Sequence, residues 1–98
     1  MTDNTPDALT INYSEGGTDI VKELDKRILS KGAWTTILYR YQEWNVSKES
    51  YGKDKYSIRR YQKRNGEYQQ KSKFNISSAD QAQQLITALQ GWLQEAAE

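Results

Sequence analysis

The chain contains no cysteine and no histidine. Without cysteine there is no disulfide framework, no thiolate nucleophile and no Cys-ligated zinc or iron–sulfur site. Without histidine there is no Ser-His-Asp triad, no imidazole base and no usual transition-metal ligand set. No apolar run approaches the ~20 residues of a membrane-spanning helix, and the polar N-terminus does not read as a signal peptide. A soluble, cytoplasmic protein is expected, with no membrane contact. The 13 acidic residues show no calcium-loop spacing, and the glycine pair Gly16-Gly17 lies outside any phosphate-loop pattern. The residues left over suit binding rather than catalysis: no enzyme activity, cofactor, metal or small-molecule substrate is expected.

A length of 98 residues allows one domain, burying about 65% of the surface of its unfolded chain. Hydrophobic residues make up 36% and mean hydropathy is −0.97, which implies a thin core. Residues 1–18 are polar and include the single proline. They read as an N-terminal tail in which Leu9-Thr10-Ile11-Asn12-Tyr13 alternates well enough for a short strand. Residues 19–98 then form one domain.

Within it, Asp19 to Ser30 is ambiguous. Ile20, Val21, Leu24 and Ile28 recur at helical spacing, and Thr18 and Gly32 suit its ends, yet a strand with one irregularity also fits. Periodicity alone favours the helix. Ala33 to Asn45 is dense in β-branched and aromatic residues and reads as a long strand. One face carries Ile37, Tyr39 and Tyr41; the other carries Trp34, Leu38, Arg40, Gln42 and Trp44. Neither is cleanly polar, which implies a bulge or contacts on both faces. Trp34 is expected in the core.

Lys55 to Ile76 reads as a β-hairpin around Asn65-Gly66. A two-residue loop would set Ile58 opposite Lys73 and mix apolar with charged residues on one face. A three-residue loop, Arg64-Asn65-Gly66, pairs Lys63 with Glu67 and separates them, so it is the expected register. Ser57, Arg59, Tyr61 and Lys63 then share a face with Lys73, Lys71, Gln69 and Glu67. Ser77 or Ser78 caps a final helix reaching about Ala96. Its stripe of Ala82, Leu85, Ile86, Leu89, Trp92, Leu93 and Ala96 is the strongest periodic signal in the chain.

The net charge of +1 hides an asymmetry. Lys53 to Lys73 holds eight basic and two acidic residues, a local charge of +6 that leaves −5 for the remainder. A positive hairpin on an acidic body suits a polyanion. Arg59, Lys63, Lys71 and Lys73 are candidates to neutralise phosphates, and Tyr61 to stack on an unpaired base. Arg40 and Trp44 are expected to extend that surface. Solvated lysines guarding an edge strand are the plain structural alternative.

KYSIRRY, FNIS before the last helix, and GAWTTILYRYQEWN together resemble the positive-cofactor-four family of single-stranded-DNA-binding transcriptional coactivators, particularly its small bacterial members. The resemblance spans about residues 20 to 95. It implies a curved four-stranded antiparallel sheet followed by one helix, dimers packed through the helices, and single-stranded DNA on the strand surface. By position, Arg59 takes the motif arginine, Tyr61 the motif aromatic and Trp44 the bacterial tryptophan, and Asp19 to Ser30 becomes the first strand. Lys73 departs from the family by standing where a glycine is frequent.

The expected fold is therefore α+β, a ββββα-like curved antiparallel sheet with a C-terminal amphipathic helix. The expected assembly is a homodimer through Leu85, Ile86, Leu89, Trp92 and Leu93. The expected function is single-stranded DNA binding with low sequence specificity, in transcription, replication or repair, by Arg40, Trp44, Ser57, Arg59, Tyr61, Lys63, Lys71 and Lys73. An RNA ligand, or an acidic protein docked on the hairpin, are the alternatives.

Overall fold

The structure is a computed structural model, and residues 5–97 are described; residues 1–4 of the expected tail lie outside them. The strands are β1 (Tyr13–Glu15), β2 (Thr18–Ser30), β3 (Trp34–Asn45), β4 (Ser50–Tyr51), β5 (Lys55–Arg64) and β6 (Glu67–Ile76). The helix α1 (Ala79–Ala96) ends the chain. The strands form one antiparallel sheet in the order β1-β2-β3-β5-β6, with β4 paired to the end of β3. It curls into a half-barrel. The α+β class and the four long strands agree with expectation; the short strand allowed in the tail lies at Tyr13–Glu15, beginning where the Leu9 to Tyr13 run ends, and β4 is an addition.

Asp19 to Ser30 is strand, not helix. Two irregularities explain why its pattern misleads. The register against β3 skips at Leu24 and again at Leu29, so the residues facing the buried side run Val21, Glu23, then Lys26, Ile28. A strand that changes parity at a bulge no longer shows period two, and its apolar spacing imitates a helix.

The β5–β6 hairpin also departs from the expected register. Arg64 pairs directly with Glu67, leaving Asn65-Gly66 as a two-residue turn with φ of 53° and 78°. Both values are the left-handed geometry that such turns require and that Asn-Gly supplies. The objection to this loop was Ile58 against Lys73. A bulge removes it: Lys71 is the extra residue between the Arg60–Ser72 and Tyr61–Gln70 pairs, so Ile58 meets Phe74 and Arg59 meets Lys73.

One face of the sheet is buried. Thr35, Ile37, Tyr39 and Tyr41 on β3, with Ser57 and Tyr61 on β5, form it, and Tyr39 is 0% exposed. Residues 5–12 lie across this inner face and insert Ile11, 7% exposed, among Ile37, Tyr39, Tyr41 and Tyr61. Ile11 of the expected polar tail is thus part of the core, while Asp7, Ala8, Thr10 and Asn12 around it stay exposed. Trp34, expected in the core, lies on the other face, 40% exposed beneath the Arg60 guanidinium at 4.4 Å.

The helix-side face is different. Ser78 caps α1, its Oγ accepting from the Gln81 backbone N–H at 3.1 Å, while Gln81 Oε1 accepts from the Ser77 N–H at 3.0 Å. The two bonds satisfy two backbone donors where strand passes into helix. No residue of α1 is buried. The fold is accordingly a slab of 54 × 39 × 18 Å with a radius of gyration of 15.9 Å, against about 12.6 Å for a compact domain of this length. Its accessible surface is 7304 Å², against about 5,800 Å² expected for a folded monomer of this mass.

Candidate nucleic-acid interface

The inner face of β5 carries Ser57, Arg59, Tyr61 and Lys63 together, as the alternation of a strand dictates. The face of β6 beside it carries Asn75, Lys73, Gln70 and Tyr68. Arg59 is held on two sides: its Nε donates to Ser57 Oγ at 3.3 Å and its Nη1 to Gln70 Oε1 at 3.0 Å. Ser57 Oγ in turn donates to Asn75 Oδ1 at 2.7 Å. These partners are neutral, so they fix the guanidinium without cancelling its charge.

Lys73 stands directly across from Arg59. Among the described residues the ion pairs join Arg27 to Asp25, Arg40 to Asp54 and Lys55 to Glu43. Neither Arg59 nor Lys73 belongs to one, and nor do Lys63 and Lys71. Like charges opposite one another on a sheet destabilise it, so this pair is a local cost that an anion between them would offset. Lys63 lies over the Tyr68 ring at 5.6 Å, and Lys71 is the unpaired residue of the bulge on the open edge strand.

Arg40 and Trp44 do not extend this surface. On β3 they alternate with the buried Tyr39 and Tyr41, which puts them on the opposite face. Arg40 faces Asp54 at 3.8 Å, and Trp44 packs edge-on against Tyr51 with 5.1 Å between ring centres. Both belong to the helix-side face and the β3–β4 corner.

Tyr61 sits on the face expected of it, but it is 5% exposed and its hydroxyl meets that of Tyr39 at 3.0 Å. Burial, followed by this bond, raises the Tyr39 hydroxyl pKa far above its usual value. Burial likewise raises that of Tyr41, with the Glu43 carboxylate adding to it. With residues 5–12 in place, the Tyr61 ring has no free face.

Sequence reasoning missed Gln70 and Asn75, which orient Arg59, because both are set by the cross-strand register. It also missed Glu23 and Lys26 of β2, which hold residues 5–12. Lys26 Nζ donates to the carbonyls of Pro6, Asp7 and Leu9 at 3.2, 2.7 and 2.6 Å. Glu23 Oε1 accepts from Thr10 Oγ1 at 2.8 Å and from the Ile11 N–H at 3.3 Å.

On the other face, α1 and the sheet enclose an open apolar groove of about 520 Å³. Leu29, Leu38, Tyr56, Ile58 and Ile76 line it from the sheet side; Ala82, Leu85, Ile86 and Leu89 line it from the helix. Trp92 and Leu93 lie beyond it, each 67% exposed. Among the described residues no three acidic side chains are grouped to hold a metal ion, and no helix is long and apolar enough to cross a membrane. No protein-family model, curated protein or solved structure matches this chain.

Proposed function

We propose that the protein binds single-stranded DNA with low sequence specificity and does so as a homodimer. It is a binding protein of the cytoplasm rather than an enzyme, with a role in transcription, replication or repair. The observation that carries the reading is the Arg59–Lys73 pair: two cations side by side, one fixed by neutral partners, neither matched by a carboxylate. With Lys63 on the same face and Lys71 at the bulge they make a cationic band along the outer hairpin, and the half-buried Tyr68 lies beside Lys63. That pairing of phosphate neutralisers with aromatic rings suits an unpaired strand better than a duplex, whose bases offer no free faces. The likeness of KYSIRRY and the strand-to-helix segment to the positive-cofactor-four family points the same way.

The dimer reading rests on area. The chain exposes roughly 1,500 Å² more than a compact monomer of its mass, and Leu85, Ile86, Leu89, Trp92 and Leu93 are among the exposed apolar residues. Twice that excess falls within the roughly 2,000–5,000 Å² of an obligate homodimer interface. A second copy laid over α1 and the groove is the occupant that supplies a matching apolar surface.

Fluorescence anisotropy with labelled single-stranded DNA, duplex and RNA of equal length, across a salt series, tests the function. If four cations meet phosphates, log K falls against log salt with a slope near −3, at ~0.7 per contact for single strands. Lys73→Ala then makes the slope shallower by about 0.7. Tighter RNA binding would move the ligand to RNA. Equal weak binding of all three would leave only a general charge effect and refute a dedicated site.

A further inference from the structure

Residues 5–12 cross the face on which the proposed nucleic-acid ligand would lie, and the way they are attached is unusual for core. They make no strand pairing with the sheet. Their polar hold on β2 includes Lys26 on three carbonyls and Glu23 on Thr10 and the Ile11 amide, and Asn12 Oδ1 accepts from the Glu23 backbone N–H at 2.7 Å. Their apolar hold is Ile11 and Leu9. Lifting the segment therefore breaks no ladder hydrogen bond, and all four long strands keep their partners.

Beneath Ile11 lie Tyr39, Tyr41 and Tyr61, with Tyr68 at the margin and Arg59 and Lys63 on the same face of β5 as Tyr61. Tyrosines set beside unpaired cations are the composition of a platform for stacked bases with their phosphates alongside. Ile11 packs on these rings.

We infer that residues 5–12 are a displaceable strap that occupies a tyrosine-lined base-stacking trough, so that single-stranded nucleic acid and the strap compete for one surface. The inference rests on the nucleic-acid reading and adds regulation to it. The strap sets a threshold: short or weakly stacking ligands reach only the outer cations, whereas a strand that gains stacking energy displaces Ile11 and engages Tyr61. Ligand affinity is reduced by the fraction of molecules whose strap is closed.

The absence of native cysteine permits a direct test. The pair Thr10→Cys/Glu23→Cys replaces two side chains that touch at 2.8 Å. With its thiols free it loosens the strap, because the Glu23 acceptor is gone; joined by a short cleavable bis-thiol linker it locks the strap closed. Anisotropy with a labelled oligothymidylate is compared with inorganic polyphosphate of similar charge, which has no bases.

The expected result is oligothymidylate affinity at or above wild type in the free-thiol form. The linked form should bind about tenfold or more weakly, the worth of a lost base stack, and linker cleavage should restore it. Polyphosphate should bind both forms alike. Equal oligothymidylate affinity in the linked and cleaved forms would overturn the strap while leaving the nucleic-acid reading intact. No binding by either form or by wild type at low salt would overturn both. Loss of polyphosphate binding on linking would also overturn the inference, since a general distortion of the sheet would then be the cause.

Discussion

The two faces of this sheet come from the same strands and have opposite fates. The middle of the inner face is closed by its own chain: Ile37, Tyr39 and Tyr61 are buried, the two tyrosine hydroxyls are paired, and Ile11 fills the space above them. The helix-side face also carries apolar residues and buries Ile76, yet most of it is left open, with a groove under α1 and Trp92 and Leu93 in solvent. A polar chain of this size has too little apolar material to cover both sides of a long sheet. It covers one with a short segment and carries on the other an amphipathic helix whose apolar stripe its own sheet only partly uses.

That contrast can be broken from either side. The largest effect is expected on the inner face, where Tyr39→Ala should cost about 3–5 kcal/mol, the usual range for truncating a buried aromatic. Urea denaturation followed by circular dichroism would read this, and a loss below about 1 kcal/mol would mean that the inner face is not the core. On the helix side, Leu89→Asp should leave the single chain folded and abolish pairing. Its cost is carried by association, at about 2 kcal/mol or more for a central interface residue. Sedimentation of wild type and variant measures it, and a monomeric wild type would end the dimer reading.

The smallest effect separates the faces by pH. Burial raises the Tyr39 and Tyr41 hydroxyls, so above about pH 10 the unfolded chain ionises where the folded one does not. The unfolded state then binds fewer protons, and stability, complete below that pH, falls as pH rises. Tyr39→Phe should flatten this alkaline decline. An unchanged slope would mean that the Tyr39 hydroxyl is not shielded.

Much of the fold is legible in local chemistry. The stripe from Ala82 to Leu93 with Ser78 before it specifies α1, because a helix and its cap are set by residues within a few positions of each other. Ala33 to Asn45 reads as strand for the same reason, and Asn65-Gly66 marks the turn between β5 and β6. The failures have one common cause. Asp19 to Ser30 looked helical because Leu24 and Leu29 are bulges, and the hairpin register was misjudged because Lys71 is one. A bulge is chosen by the strand across the ladder and has no distinct local pattern.

The candidate site divides the same way. Ser57, Arg59, Tyr61 and Lys63 share a face by strand alternation alone, and the +6 charge of the hairpin is a matter of counting. Placing Arg40 and Trp44 with them required knowing which face of β3 meets which face of β5. Alternation within β3 cannot say that, and the register put the two residues on the far side. Likewise, nothing local to Leu9 and Ile11 distinguishes a free tail from a segment laid over tyrosines.

The sequence by itself determined the chemistry available: no thiol or imidazole, one strongly basic hairpin, and one helix with an apolar stripe. These follow from composition and from spacings short enough for the backbone geometry to dictate. Only the tertiary structure decided that Arg59 meets Lys73, that Tyr61 lies under Ile11, and that the helix stripe is left partly uncovered, with Trp92 and Leu93 in solvent. Each of those depends on pairing between residues distant along the chain, where a shift of one position exchanges the two faces of the sheet.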